Sequence, residues 1–180
     1  MADDSPRQLH MRRPHLEGLP ELEIPAGYGL RTYQPGDEAH WARIMAEAFN
    51  ADWTPERCRD ELTSRPPFRP TGFFLATHQG EGVASACAWI RDGELAGEGT
   101  VHMVGALKAH RGRGLGRLVT LAVLRWLAEN GFRTARLSTD DWREPAIAVY
   151  LKLGFEPIFF DAQHERRWQA VRVKMGARLP

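Results

Sequence analysis

Apolar residues along the chain recur at two spacings, one that matches a helix and one that matches a strand. Across Glu38–Phe49, the large apolar residues return at helical spacing. The segments 114–130 and 144–153 likewise place their apolar residues on one helical face. Thr54, with a proline directly after it, has the sequence of a helix start. The pattern therefore predicts helices over these segments and from Thr54 to residue 65.

Runs of residues with strand propensity, separated by short turns, fill much of the remaining chain. Strands that follow one another through short turns favour an antiparallel meander, whereas a strand–helix–strand order favours a parallel unit. We therefore predict an α/β (α+β) fold with a mixed central sheet. The sheet should be antiparallel in its first half and contain a βαβ unit in its second half. The predicted strands cover residues 28–33, 72–77, 81–91, 99–107, 134–139, 155–160 and 168–175.

The N-terminal residues differ from the rest of the chain in composition. Residues 1–26 are rich in proline, arginine and histidine. Because they show no helical or strand period, we predict an extended N-terminal arm there. No linker-like composition interrupts the chain from residue 27 to residue 180. We therefore predict one domain over 27–180.

Composition narrows the classes of partner. Of the 180 residues, 43% are hydrophobic, and 24 basic against 23 acidic side chains leave a net charge of +1. A nucleic-acid-binding domain usually carries a clear basic excess, and a balanced chain gives no support for adhesion to an anionic membrane. We expect neither nucleic acid nor a membrane as a partner, so any anion site must be local.

The chain also carries no motif for export, a disulfide framework or a metal. Cys58 and Cys87 stand far apart, and no CxxC is present. The N-terminus has early acidic residues and no apolar core of a signal peptide. No apolar run approaches the ~20 residues that a membrane helix needs. We therefore expect a cytoplasmic protein with no metal site.

A glycine- and arginine-rich segment, His110–Arg117, follows a predicted strand and opens a predicted helix; we call it the Gly-Arg turn. Glycine at alternate positions lets a ligand approach the backbone closely. The first amides of a helix lack intrahelical acceptors, and the helix dipole adds partial positive charge there. Arginine adds forked donors for phosphate oxygens. The turn is therefore a predicted phosphate site.

The phosphate ligand is not identified by these features alone. A P-loop motif is absent, and the GxGxxG fingerprint of dinucleotide-binding folds fails because Arg117 stands at its third glycine. Asp140, at the end of the next predicted strand, could take the place of the ribose-binding acid of that fold. A nucleotide-binding, Rossmann-like module therefore stays an alternative, although the chain has one βαβ unit where that fold has several.

Two motifs in this order resemble the GCN5-related N-acetyltransferase (GNAT) superfamily. Its [Q/R]-x-x-G-x-[G/A] hallmark matches 111–116, and its A-x-x-x-Y helix followed by G-F matches 146–155. The resemblance covers about residues 28–175 and agrees with the predicted order of elements. It implies an N-acetyltransferase that moves an acetyl group from acetyl-CoA, or another acyl group from its acyl-CoA, to an amine acceptor.

The resemblance also implies a role for individual residues. Tyr150 would be the general acid that protonates the departing CoA thiolate. The family often carries an asparagine where this chain has Arg143, so an asparagine contact to the cofactor cannot be carried over. The residues implied to bind the cofactor are Val104, Gly105 and Ala106 for the pantetheine amides and, for the pyrophosphate, Arg111, Gly112, Arg113, Gly114, Leu115, Gly116 and Arg117.

The base and the acceptor are less defined by the sequence. His102, on the strand before the Gly-Arg turn, is the candidate base, and strand alternation would place it on one face with Val104 and Ala106. Glu98 at the strand entrance is the rival. The acceptor is expected to be a small-molecule or peptide amine. A thiol or hydroxyl acceptor, the acyl chain length, a homodimer through the late strands and a non-catalytic acyl-CoA-binding domain all stay open.

Overall fold

The computed structural model describes residues 8–91 and 97–176. Its strands pair in the order β2-β3-β4-β5-β6-β1-β7 to form one mixed sheet. In chain order, the strands are β1 (Leu9–Arg13), β2 (Gly29–Thr32), β3 (Phe68–His78), β4 (Glu81–Trp89), β5 (Glu98–Ala106), β6 (Thr134–Thr139) and β7 (Glu156–Ile158). The helices are α1 (Glu38–Phe49), α2 (Pro55–Cys58), α3 (Leu115–Glu129), α4 (Glu144–Lys152) and α5 (Ala162–Met175).

The sheet is antiparallel except at one pair. Strands β3 to β5 form the predicted meander, and β2 pairs antiparallel with β3. Strands β5 and β6 are the only parallel neighbours among the strands that the structure describes. The mixed fold predicted from the sequence is therefore confirmed. The Rossmann-like alternative is wrong, because that fold needs a doubly wound parallel sheet.

Helices cover both faces of the sheet. A Cβ on Gly99 would collide with Leu127 of α3, whereas a Cβ on Gly105 would come within 2.8 Å of Met45 of α1. The two glycines thus mark opposite faces of β5. The amphipathic stripe of α3 is buried on its face, as its spacing predicted. At the start of α2, the Thr54 side chain accepts a hydrogen bond from the Arg57 amide, with Pro55 at the first helical position. The predicted helix continues only to Thr63, and Arg59–Thr63 form a π-helical turn.

Residues 9–13 of the predicted extended N-terminal arm form a strand, which sequence analysis did not assign. Strand β1 lies inside the sheet, antiparallel to both β6 and β7, and Leu9 and Met11 are fully buried. The sequence Leu-His-Met-Arg-Arg alternates apolar and polar residues, which is the strand period. The short run was hidden among prolines, and a boundary at residue 27 therefore cuts through the sheet.

The last predicted strand, 168–175, is also wrong. These residues form the second half of α5, whose buried positions His164, Trp168 and Val171 recur at helical spacing. Asp161 caps this helix by accepting a hydrogen bond from the His164 amide at 2.8 Å. The β-branched and aromatic residues favoured a strand, but tertiary burial of one stripe decides the helix. The place that a final strand would take beside β6 is occupied by β1.

Candidate active site

A cleft opens where β5 and β6 separate. The two strands are paired only from Glu98–Thr134 to Thr100–Arg136. Beyond these pairs β5 runs on to Ala106 and β6 to Thr139 without pairing with each other. The gap holds a cavity of about 320 Å³, within the usual range for small-molecule sites. Its lining includes His10, Phe49, Arg91, His102, Val104, Arg136, Ser138, Asp140, Arg143 and Tyr150.

Tyr150 reaches this cleft from α4. Its side chain is 5% exposed, and its ring packs edge-on against Phe155 at 6.0 Å between ring centroids. Burial raises the pKa of the phenol above its usual value near ~10, and only the Arg143 charge acts in the other direction. The phenol is therefore protonated at neutral pH. It is placed to give a proton to an atom that becomes negative in the cleft.

His102 lines the cleft, but a bulge changes which way it faces. Cys87 pairs with His102 and Ser85 with Gly105, so β5 has one more residue than β4 between these pairs. Met103 lies at this bulge and has a left-handed φ of 52°. Gly105 therefore shares a face with His102, and Ala106 faces away from it. The prediction that His102 shares a face with Ala106 is wrong because alternation breaks at the bulge, whereas Val104 lines the cleft together with His102.

The surroundings of His102 make it a weak base. Its ring lies 4.9 Å from that of Trp89, centroid to centroid. Burial, and secondly the Arg91 charge, lower the pKa of His102 to about 4. Moving a proton from an amine of pKa ~10 to such a group would cost about 8 kcal/mol, at 1.36 kcal/mol for each pKa unit.

Glu98, the rival base, is held at the closed end of the β5–β6 pair. The carboxylate is 6% exposed and accepts a hydrogen bond from Arg12 Nε at 2.7 Å. Arg136 Nε lies 3.9 Å from its other oxygen, and Thr134 Oγ1 lies 3.3 Å from the first. Glu98 does not line the cleft. Its contacts give it a structural role at the base of the strands.

The Gly-Arg turn has the backbone of an anion site. Gly112 and Gly114 have φ values of +75° and +79°, which glycine adopts without strain. The first hydrogen bond of α3 runs from the Leu118 amide to the Gly114 oxygen at 2.9 Å, so the amides of residues 115–117 have no acceptor within the helix. Open space surrounds the Cβ positions of Gly112, Gly114 and Gly116. A phosphate can therefore approach this backbone.

The side chains of the Gly-Arg turn differ in their exposure and in their contacts. Leu115 is 2% exposed, so only its main chain faces the predicted site. The Arg111 guanidinium donates to the carbonyl oxygens of Ala106 at 3.2 Å and Glu47 at 3.3 Å, which joins the turn to the ends of β5 and α1. Arg113 is exposed and Arg117 half-buried. Arg113 and Arg117 are therefore the side chains better placed to meet a phosphate.

The three residues predicted to contact the pantetheine arm have different roles in the structure. Val104 lines the cleft. A Cβ on Gly105 would lie 2.8 Å from Met45 Cε and 2.9 Å from Ala48 Cβ, so glycine is required here for packing against α1. Ala106 supplies the carbonyl that Arg111 holds. Neither Gly105 nor Ala106 is part of the cavity lining.

Arg143 closes one end of the cleft. Its Nε donates to Asp140 at 2.8 Å, and one of its terminal nitrogens donates to the Ala48 carbonyl oxygen at 3.0 Å. Its guanidinium also lies over the rings of Phe49 and Trp142, at 4.4 Å and 4.2 Å from their centroids. The residue that departs from the family pattern therefore joins the end of α1 to the loop between β6 and α4.

The wall opposite α1 was missed by sequence analysis. It is formed by β1, where His10 lines the cleft and its Nδ1 lies 3.1 Å from Ser138 Oγ. The His10 ring packs edge-on against Phe160, with 5.1 Å between centroids, and lies 6.3 Å from the His164 ring. The alternation of Leu9, His10 and Met11 was the available signal.

Neither a membrane-spanning helix nor a metal site is found among the described residues. Within residues 8–91 and 97–176, none of the helices combines the length and the apolar character of a membrane span. In the same part of the chain, no group of at least three histidine, cysteine or acidic side chains is arranged to hold a metal ion.

Comparison with known proteins adds independent findings. A sequence model of the acetyltransferase (GNAT) family matches residues 40–155. Mycothiol acetyltransferase from Thermomonospora curvata is 34% identical over 164 residues, covering 87% of this chain and 54% of the relative. The protein of that name from Thermobispora bispora is 37% identical, covering 87% of this chain and 56% of the relative. The chain thus spans about half the length of these relatives.

A solved structure shows the same architecture. The GCN5-related N-acetyltransferase from Sphaerobacter thermophilus superimposes with a TM-score of 0.69 at 27% identity. The alignment covers 85% of this chain and 50% of that one.

Proposed function

The chain belongs to the acetyltransferase (GNAT) family, and we propose that it transfers an acetyl or other short acyl group from an acyl-CoA, chiefly acetyl-CoA, to an amine. The observation that carries the proposal is the position of Tyr150. A protonated phenol lines a cleft between splayed strands, and the strand on one side leads directly into the Gly-Arg turn. A proton donor at this position favours a catalytic domain over a non-catalytic acyl-CoA-binding domain.

In this proposal, different residues along the cleft bind the cofactor and donate the proton. The amides of residues 115–117, with Arg113 and Arg117, bind the pyrophosphate, and Val104 contacts the pantetheine arm. The amine nitrogen attacks the thioester carbonyl carbon. As the carbon–sulfur bond breaks, Tyr150 donates its proton to the sulfur, because a thiolate kept from water in the cleft binds a proton more tightly than the free thiol value near ~8.5.

The acceptor is proposed from the relatives and from the cavity. The two relatives are named as acetyltransferases of mycothiol, and the cavity of about 320 Å³ suits a small molecule. We therefore propose a small-molecule amine related to mycothiol, in preference to a peptide. The cytoplasmic location and a homodimer stay predictions.

Thermal unfolding with acetyl-CoA, CoA, NADH and ATP tests the binding part of the proposal. A ligand at about 100 times its Kd should add ~2.7 kcal/mol to stability. We expect acetyl-CoA and CoA to raise Tm by several degrees, and NADH and ATP to leave it unchanged. Thiol release from acetyl-CoA, measured with a panel of primary amines, tests turnover. Binding without turnover by any amine would indicate a non-catalytic acyl-CoA-binding domain.

A further inference from the structure

We propose that His10 is the general base of the cleft and takes the proton from the acceptor amine. This inference rests on the proposed acyl transfer and names the base that the reaction needs. A primary amine with a pKa near ~10 is almost entirely protonated at pH 7 and cannot attack a carbonyl carbon in that form. A group in the same cleft as Tyr150 must therefore accept a proton.

The other basic groups of the cleft are occupied or weakened. Asp140 accepts hydrogen bonds on both oxygens, from Gln8 at 3.1 Å and from Arg143 at 2.8 Å. Glu98 lies outside the lining and is paired with Arg12. His102 is packed against Trp89, and its affinity for a proton is strongly reduced. This leaves His10 as the imidazole with only one ring nitrogen engaged.

The contacts of His10 orient its ring. Nδ1 lies 3.1 Å from Ser138 Oγ, and the edge-on contact with Phe160 restrains the ring plane. When Nδ1 donates its proton to the serine oxygen, Nε2 carries the free lone pair of the neutral imidazole. A hydrogen bond at one nitrogen is a common way to select the tautomer whose other nitrogen acts as the base.

The charged and titratable groups near His10 come from several elements. His164, paired with Asp161, faces it from α5, and Arg136 faces it from β6. The cleft also presents Arg91, His102, Asp140, Arg143 and Tyr150. Burial, followed by the charges of His164 and Arg136, lowers the pKa of His10 below its usual value of 6.5. The imidazole is therefore neutral, and able to accept a proton, at neutral pH.

Two residues, His10 and Tyr150, account for every proton that is transferred in the reaction. Nε2 of His10 takes one proton from the ammonium group, and the freed lone pair of the amine attacks the thioester carbon. Tyr150 protonates the sulfur as the carbon–sulfur bond breaks. The nitrogen then loses its second proton, which restores Tyr150, and His10 releases its proton to solvent. The products are one amide, one thiol and one proton.

A comparison of His10→Asn with His102→Asn tests the proposal. Asparagine places an amide nitrogen close to the position of Nδ1, so it can keep the contact with Ser138 while removing Nε2. Thiol release from acetyl-CoA is followed from pH 4.5 to 9, with the primary amine of the panel that gives the fastest release and, without amine, with water as the nucleophile. We expect H10N to lower kcat/KM by about 10²- to 10⁴-fold. The fall in kcat/KM toward low pH, which we call the acid limb, should be absent from the pH profile of H10N. We expect H102N to keep that limb.

The outcomes separate this inference from the proposed function. If the wild-type protein binds CoA but releases no thiol with either nucleophile, the proposed transfer fails and the role of His10 falls with it. If the wild-type protein is active but H10N keeps its rate and its acid limb, only the inference is overturned. Loss of the limb in H102N would likewise overturn it. Unchanged Tm and acetyl-CoA affinity in H10N would show that the loss is not one of folding.

Discussion

Arg143, which precedes α4, donates a hydrogen bond to the carbonyl oxygen of Ala48 near the end of α1 at 3.0 Å. This contact joins two elements that are distant in sequence across one end of the cleft. It satisfies one of the carbonyls that the last turn of a helix leaves without a partner. The loop between β6 and α4 is therefore held in place by α1, which itself packs against Gly105 of β5.

Replacing Arg143 should cost both stability and activity. The side chain is 16% exposed, and hydrogen bonds to charged groups contribute about 1.5–3 kcal/mol. We expect Arg143→Met to lower the free energy of unfolding by about 2 kcal/mol and to raise KM for the amine. Chemical denaturation measures the first effect. Lys174→Met, which breaks the exposed pair with Glu144, is the control and should cost less than about 1 kcal/mol.

Tyr150→Phe should separate catalysis from packing. The phenylalanine ring keeps the contact with Phe155, so we expect Tm to change little. Loss of the hydroxyl should lower kcat by about 10²- to 10⁴-fold with no change in acetyl-CoA affinity. In the wild-type protein, the raised pKa keeps the acid form populated up to pH ~10. An alkaline limb attributable to Tyr150 at pH 8 would contradict this assignment.

Gly116→Ala should raise stability while lowering acyl-CoA affinity. A Cβ at Gly116 meets no atom within 4 Å, and alanine in a helix is favoured over glycine by about 0.5–1 kcal/mol. The same methyl group would project into the predicted pyrophosphate site. We expect Kd for CoA to rise about tenfold, measured by calorimetry. Gly114→Ala is the contrasting variant, because its φ of +79° makes alanine strained there and should lower Tm.

Gly105→Ala should lower the stability of the fold, and it should weaken ligand binding only as a consequence. The Met45 side chain can shift, but the Ala48 Cβ at 2.9 Å is attached directly to the α1 backbone. Overpacking of this kind costs about 1–3 kcal/mol. We expect a lower Tm in the absence of ligand. A normal Tm combined with lost CoA binding would instead assign Gly105 to the cofactor, as the family resemblance implies.

The pair of Asp141 and Arg167 should make stability depend on acid pH. Arg167 donates two hydrogen bonds to the Asp141 carboxylate, at 2.8 Å and 2.7 Å, and fastens α5 to the loop before α4. These bonds, above all, lower the pKa of Asp141 in the folded protein. A lowered folded pKa means that the contribution is present above the unfolded pKa and is lost as pH falls through the folded pKa.

Asp141→Asn should therefore reduce Tm at pH 7 and narrow its difference from the wild-type protein below pH 4. Arg167→Met should have a similar effect, and the double variant should be less destabilised than the sum of the two. Equal Tm differences at pH 7 and pH 3 would show that the pair does not contribute through its charge.

Several features of the site could be predicted from sequence because they are local. The glycines of the Gly-Arg turn, the helical stripe of α3 and the position of Tyr150 each depend on a few neighbouring residues. Hydrogen bonding, dipole and side-chain spacing follow from such short patterns. The same holds for Thr54 and Pro55, whose capping geometry is as predicted.

Other features depend on contacts that no short pattern records. The bulge at Met103 rotates His102 relative to Ala106, and only the pairing of β5 with β4 shows it. The insertion of β1 beside β6 brings His10 into the cleft from residues that read as an arm. Sequence by itself determined the family, the mixed fold and most of the local elements, but not β1 or α5. The tertiary structure decided the register, the order of strands and the second wall of the cleft, because these depend on which distant surfaces bury one another.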